Sequence, residues 1–271
     1  MKIIVLGKNG MLGRYVYTYL KNKFDVVGTT RDSIDALKLK KGDLHSLNLE
    51  PRDVVINCIG LIPQRGVTRK LDFVATNTTF PLLLQEKCSK HGAKLIHVTT
   101  DCVFSGLGGN YNELDIHDAT DVYGKSKSLG EPEEATIIRT SIIGEELDNK
   151  LSLLEWVRSN ADKTTNGFIN HYWNGITCLQ FAKLCEYIIS NNMFWKGTKH
   201  VFSPTSVSKY ELVKMISEEF KLNVEVKAHK TPKKCDKTLS TVRTDIIIEV
   251  PSLRQQVKEL VDYSFNSKII K

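Results

Sequence analysis

The stretch Gly7-Lys8-Asn9-Gly10-Met11-Leu12-Gly13 decides how this chain folds. Four apolar residues, Ile3-Ile-Val-Leu6, precede it, and a helical pattern over residues 11–21 follows. A short run that is apolar throughout reads as a strand buried on both faces. Between strand and helix, a Gly-x-x-Gly-x-x-Gly spacing has three uses. The first glycine permits the tight turn, the second lets a pyrophosphate reach the backbone, and the third lets helix and strand pack closely. The free N–H groups of the helix then point at the phosphates. Gly7, Asn9, Gly10, Met11, Leu12 and Gly13 are therefore assigned to a dinucleotide site.

Outward from this loop, residues 3–6, 26–28, 54–58, 95–98 and 137–139 read as strands. Residues 11–21, 71–91 and 123–131 read as helices, and Pro81 should kink or restart the second of them. Alternating strand and helix predicts an α/β fold with a Rossmann-type doubly wound parallel sheet. After Ser141 the pattern shifts to helical stretches at 151–159, 178–190, 209–219 and 253–260, with loops rich in Asn, Lys, Pro and Thr. The expected division is a Rossmann domain at 1–141 and a smaller, mostly helical substrate domain at 142–271. Segments near 170–190 should return to the sheet. No internal repeat or low-complexity tract appears.

Of the 271 residues, 41% are hydrophobic and 25% charged, as in ordinary soluble domains. No apolar run approaches the roughly 18 residues of a membrane helix, and the opening run is too short for a signal peptide. A cytoplasmic location is the default expectation, with no membrane partner. Six cysteines lack any Cys-x-x-Cys spacing, so reduced thiols and no metal site are expected. The net charge of +7 comes from dispersed lysines without interleaved aromatics. It suits doubly phosphorylated ligands rather than nucleic acid.

The choice of cofactor rests on the end of the second strand, Val27-Gly-Thr-Thr-Arg31. An acid there would hold the ribose 2′-hydroxyl of NAD. Arg31 instead suits a 2′-phosphate, with Lys8 assisting, which favours NADPH over NADH. Asp43 and Leu44 are candidates for the adenine edge, and Cys58, Ile59 and Gly60 for the wall along the cofactor.

Within Asp121-Val-Tyr-Gly-Lys-Ser-Lys127, Tyr123 and Lys127 stand four apart, on one face of a helix. A nearby ammonium favours the phenolate and should lower the tyrosine pKa. Such a phenol exchanges a proton with an alcohol or ketone. Thr100, in His97-Val-Thr-Thr-Asp-Cys-Val-Phe104, adds a hydroxyl at the end of a strand, where open α/β sheets build their sites.

Together these residues resemble the extended short-chain dehydrogenase/reductases, and most closely the dTDP-4-dehydrorhamnose reductase family. The similarity is carried by residues 7–13, Val55-Ile-Asn-Cys-Ile-Gly60, Asn77, residues 99–106, residues 121–131, Arg139-Thr-Ser-Ile-Ile-Gly144 and Trp173-Asn-Gly-Ile-Thr177. The resemblance implies reduction of the C4 ketone of a nucleotide-linked 4-keto-6-deoxyhexose, dTDP- or UDP-linked, in L-rhamnose-type deoxysugar biosynthesis. Tyr123 would deliver the proton, Lys127 would hold the nicotinamide ribose, and Thr100 would hydrogen-bond the same oxygen. Asp101 would contact the sugar, and Asn77 would support the helix. Trp173, Asn174 and Lys237 are the candidates for clamping the nucleotide. A homodimer is left open.

Cys102 departs from that family, which carries a tyrosine after the Thr-Asp pair. GDP-fucose synthase, an epimerase–reductase, has a cysteine at the corresponding place. This implies a second chemistry, 3- or 3,5-epimerisation, with Cys102 removing or returning the proton beside the ketone. Lys150, if desolvated, is the candidate partner on the opposite face of the ring. Two alternatives stand beside the reductase. One is a sugar-nucleotide 4,6-dehydratase, although Cys102 occupies the place of the glutamate that such enzymes carry after the aspartate. The other is a non-catalytic NADP-binding regulator like the β subunit of methionine adenosyltransferase, which resembles the same family.

Overall fold

The computed structural model describes residues 1–38, 43–66, 69–148 and 150–264. Its main sheet contains β1 (Ile3–Leu6), β2 (Val26–Gly28), β3 (Val54–Asn57), β4 (Lys94–Thr100) and β5 (Thr136–Thr140). Short strands follow at β6 (Ile142–Ile143), β7 (Thr164–Phe168), β8 (His171–Trp173) and β9 (Ile176–Thr177). The series ends with β10 (Gly197–His200), β11 (Val207–Ser208), β12 (Glu225–His229) and β13 (Cys235–Asp236). The helices are α1 (Met11–Leu20), α2 (Lys70–Phe73), α3 (Phe80–His91), α4 (Val122–Leu129), α5 (Leu153–Ser159), α6 (Cys178–Ser190), α7 (Lys209–Glu219) and α8 (Leu253–Asp262).

The six-stranded sheet runs β10-β5-β4-β3-β1-β2, and every pairing is parallel. The chain leaves β1 for β2 on one side and returns to β3 on the other. This reversal opens a crevice beyond the carboxyl ends of β1 and β3, the place where doubly wound sheets bind ligands. Along β1, Ile3 and Val5 enter one apolar cluster while Ile4 and Leu6 enter the other, as a period of two requires. The first cluster lies under α1 and α6, and the second under α3.

Two features depart from simple expectation. The helix expected over 71–91 is divided: a π-helical segment, Val74–Thr79, separates α2 from α3. Pro81 sits in the first turn of α3 and has no N–H for the carbonyl of Asn77, four residues back. Gly130 closes directly on that carbonyl, where a Cβ would meet the Asn77 oxygen at only 1.8 Å. The second departure is β10. This segment of the later half joins the main sheet beside β5, and α6 packs against α1. Among the described residues, the chain after Ser141 therefore supplies strand β10 and covering helix α6, as well as the smaller sheets β6-β9, β11-β8-β13 and β12-β7.

Candidate active site

The crevice is a cavity of about 760 Å³. On its β1 side lie Gly7, Asn9, Gly10, Met11 and Leu12. Gly7 takes φ +77°, a left-handed conformation natural to glycine. Gly13 does not line the cavity. It faces back, where a Cβ would stand 2.1 Å from the Gly7 carbonyl oxygen. The third glycine thus sets the approach of helix to loop, and the helix start is left aimed into the crevice. No side chain caps this helix, so its first N–H groups remain available to a pyrophosphate. The cradle fits a dinucleotide.

Arg31, Cys58, Ile59 and Gly60 also line the cavity, on the β2 and β3 sides. Arg65, in a short turn after β3 and unremarked in the sequence, joins them. Lys8 leans over the ring of Tyr17, 5.3 Å from its centroid, and lies outside the lining. Leu44 is a correction: it is buried in the second apolar cluster, away from the cavity. The side chain of Asp43 lies outside the described residues.

At the β4 end, Thr100, Asp101, Cys102, Tyr123, Lys127 and Lys237 line the same cavity. Asp121 caps α4 by accepting from Gly124 N–H at 2.9 Å. The helix start then lies against the turn after β4: a Cβ on Gly124 would reach 2.3 Å from the Cys102 carbonyl oxygen. Only a glycine allows that approach, which brings Tyr123 beside Thr100. The Thr100 hydroxyl accepts from Cys102 N–H at 3.1 Å and donates to the Asp101 carboxylate at 3.1 Å.

Lys127 donates to the Val98 carbonyl at 2.9 Å. Burial pulls its pKa down to about 8, with Glu131 the opposing influence. Tyr123 moves against expectation. Burial pushes its pKa above the ordinary tyrosine value, Cys102, Asp101 and Asp121 add to this, and only hydrogen bonding to Thr100 pulls it down. The lowering expected from Lys127 is not seen: desolvation, which disfavours the phenolate, sets the direction.

Asn77 ties the two sides together. It accepts from Leu61 N–H at 2.8 Å, and its amide donates to the Leu61 carbonyl at 2.9 Å and to Ser126 Oγ at 3.1 Å. Ser126 Oγ donates in turn to the Tyr123 carbonyl at 2.8 Å. The cofactor-side loop is therefore fastened to the helix carrying Tyr123 and Lys127. The segment leading from Cys102 to Tyr123 is anchored by buried Arg139, which binds Glu131 at 2.6 Å, His117 at 2.8 Å and His200 at 2.7 Å. Burial, with Arg139 adjacent, takes His200 down to about 4, so it accepts as a neutral ring.

The candidates from the later half divide. Lys237 is at the site. Trp173 is buried in the core and away from the lining, so its assignment to substrate is corrected: an indole closed in by Gly175 has no free face toward the cavity. Asn174 is likewise not a ligand contact. Its amide donates to the Leu239 carbonyl at 2.8 Å and accepts from Leu239 N–H at 2.9 Å. It clamps the segment that carries Lys237, two residues earlier. Lys150 is exposed, with φ +49°, and is absent from the lining, so it is not the desolvated base expected. Among the described residues no cluster of His, Cys, Asp and Glu could hold a metal, and no helix is long and apolar enough to cross a membrane.

Residues 1–264 match the family model described as the RmlD substrate binding domain. The spore coat polysaccharide biosynthesis protein SpsK of Bacillus subtilis (strain 168) is 30% identical over 149 residues. That match covers 52% of this chain and 52% of SpsK, so it spans about half of each protein. Methionine adenosyltransferase 2 subunit beta of Danio rerio is 27% identical over 254 residues, covering 82% of this chain and 74% of that protein. Among solved structures, dTDP-4-dehydrorhamnose reductase of Bacillus anthracis str. Ames in complex with NADP aligns with a TM-score of 0.81 at 19% identity. It covers 97% of this chain and 99% of that one, and shows a shared fold. With nearly its whole length matched, the chain belongs to the RmlD substrate binding domain family.

Proposed function

We propose that the protein is an NADPH-dependent reductase of the C4 ketone of a nucleotide-linked 4-keto-6-deoxyhexose. The observation that carries this is that Thr100, Tyr123 and Lys127 line one cavity with the glycine loop. NADPH, when bound, supplies the hydride. Tyr123 is held protonated by its buried setting and gives its proton to the ketone oxygen. The Thr100 hydroxyl supports that oxygen. Lys127, with a pKa near 8, is poised to exchange a proton at neutral pH and to hold a ribose hydroxyl. Arg31 on the β2 side supports NADPH over NADH.

Epimerisation beside the ketone is the finer part. Burial and Asp101 push the Cys102 thiol up to about 12, while Lys237 and Thr100 pull it down. Cys102 therefore rests protonated, facing the cavity, able to donate to one face of the adjacent carbon. Inversion also needs a base that takes the first proton from the opposite face, and Lys150, exposed and outside the cavity, is withdrawn from that role.

The test is NADPH oxidation with dTDP-, UDP- and GDP-linked 4-keto-6-deoxyhexoses. Tyr123→Phe should lower kcat by roughly 10²–10⁴ and leave NADPH affinity within twofold. Cys102→Ser should abolish solvent deuterium incorporation into the ketone while reduction of a pre-epimerised substrate survives. Incorporation untouched by that change would remove the epimerase part. Binding of NADPH without turnover of any such sugar would favour the regulatory reading. That reading is supported by the match to methionine adenosyltransferase 2 subunit beta along 82% of the chain.

A further inference from the structure

Strands β7 and β12 run in parallel register, from Thr164 beside Glu225 to Phe168 beside His229. Helix α7 covers one face of this ribbon: a Cβ on Gly167 would stand 2.7 Å from the Tyr210 Cα. At the carboxyl end of the ribbon, the turns after the two strands are fastened together. The Asn170 amide donates to the Thr231 carbonyl at 2.8 Å and accepts from Thr231 N–H at 3.0 Å. His171 and the Thr231 hydroxyl share a further hydrogen bond of 2.8 Å. The two turns therefore form one fixed surface. None of its residues lines the active-site cavity.

Residues 166–172 and 227–235 hold four lysines and no carboxylate. Lys227, Lys230, Lys233 and Lys234 are all exposed. Of these, Lys234 alone has an ion pair among the described residues, with Asp236 at 3.1 Å. Between the lysines stand Phe168, Ile169 and Tyr172, which are 37%, 39% and 36% exposed, and Pro232 is exposed beside them. Apolar side chains grouped on a surface mark an interaction site, and the uncompensated lysines call for an anionic partner. The rings are engaged within the patch itself. Phe168 is flanked by His171 at 4.8 Å and His229 at 5.8 Å, and the Lys234 ammonium lies over Tyr172 at 5.4 Å. They do not stand as open platforms for nucleic-acid bases. Ile169 and Pro232 sit on the turns, where apolar groups suit the boundary of headgroups and acyl chains, while lysine stems reach the lipid phosphates.

From this arrangement we infer that the carboxyl end of the β7–β12 ribbon docks the protein on an anionic membrane surface. The sequence expectation of no membrane partner weighed a spanning helix, and a surface dock needs none. The inference is independent of the reductase reading, because the patch and the cavity share no residue.

The experiment is co-sedimentation of the full chain with vesicles of equimolar phosphatidylglycerol and phosphatidylcholine, and with vesicles of phosphatidylcholine alone. The chain should bind the anionic vesicles, leave the neutral ones, and be released in about 1 M salt, where the screening length falls to about 3 Å. Each lysine near a charged surface is worth roughly fivefold in binding, so Lys230→Gln with Lys233→Gln should weaken it by about thirtyfold. Ile169→Ser should weaken it severalfold with the salt dependence retained. Because these side chains are exposed, NADPH affinity should stay within twofold and thermal midpoints within a few degrees in every variant. Failure to bind the anionic vesicles, or equal binding to both kinds, would overturn the dock. Unchanged binding in Ile169→Ser would overturn it as well, by reducing the patch to unspecific charge attraction. Tighter binding to single-stranded poly(U) than to the vesicles, lost in the double lysine variant, would reassign the patch to a polynucleotide.

Discussion

Replacing Lys127 with methionine tests the electrostatics of the site most directly. The ammonium is 5% exposed and bonds to the Val98 carbonyl, with no carboxylate in ion-pair contact among the described residues. Burial takes its pKa from 10.5 to about 8, a difference of about 2.5. At 1.36 kcal/mol per unit, the charged form costs the fold about 3 kcal/mol. The unfolded chain binds the extra proton between pH 8 and 10.5, so stability rises with pH through that window and carries the full penalty below it. Lys127→Met removes the penalty but leaves the Val98 carbonyl unpaired, at about 1–3 kcal/mol. The net change at pH 7 is therefore small, from nothing to about 2 kcal/mol of stabilisation. The informative quantity is the difference between the two proteins, which should move by most of 3 kcal/mol in favour of the unaltered chain between pH 7 and 10. Urea midpoints at half-unit pH steps read this directly, provided the slopes agree. Midpoints that run parallel across the range would refute the buried, uncompensated ammonium. They would also remove the case for a lysine poised near neutral pH.

Three further outcomes follow from individual contacts. Asn77→Ala leaves the Leu61 N–H and carbonyl without partners and should cost roughly 2–6 kcal/mol in urea unfolding; a loss under 1 kcal/mol would mean the loop is not fastened through this amide. Gly13→Ala should abolish NADPH binding in a fluorescence titration, because a Cβ 2.1 Å from the Gly7 oxygen forces helix and loop apart. The gain of about 1 kcal/mol in helix propensity cannot offset that displacement, and retained affinity would contradict the packing. Asn174→Ala should weaken binding of the nucleotide-linked ketone while leaving NADPH affinity unchanged, since the amide holds the segment of Lys237 and touches no cavity wall. An equal loss for both ligands would show general loosening instead.

Much of the fold was legible because its signals are local. The five strands read from apolar runs all form, and α6 and α7 begin and end where their patterns do. The sixth strand, β10, was invisible for a physical reason. Gly197-Thr-Lys-His200 carries no apolar residue, yet Lys199 and His200 are buried because Thr241, Tyr111, Ser240 and Arg139 satisfy their polar atoms. Periodicity cannot register a strand whose burial is repaid by hydrogen bonds from residues some 40 to 90 positions away. Trp173 and Asn174 failed as ligand candidates in the same way: motif position suggested contact with a nucleotide, but Trp173 is buried in the core with Lys209 over its ring, and Asn174 is bound to Leu239.

By itself the sequence determined what neighbours within a few residues can enforce. A strand, three spaced glycines and a helix start make the crevice, and a four-residue spacing puts Tyr123 and Lys127 on one face of α4. Tertiary structure alone decided which charges meet there and in which environment. It raised the pKa of Tyr123 where a neighbouring cation was expected to lower it, because burial is a property of the whole fold and sets the direction. It left Lys150 in solvent, brought Lys237 to the cavity wall shared with Thr100, Asp101 and Cys102, and turned Asn174 into a clamp on the segment that carries it. Each of these depends on distances between residues far apart in the chain, and no local spacing encodes those distances.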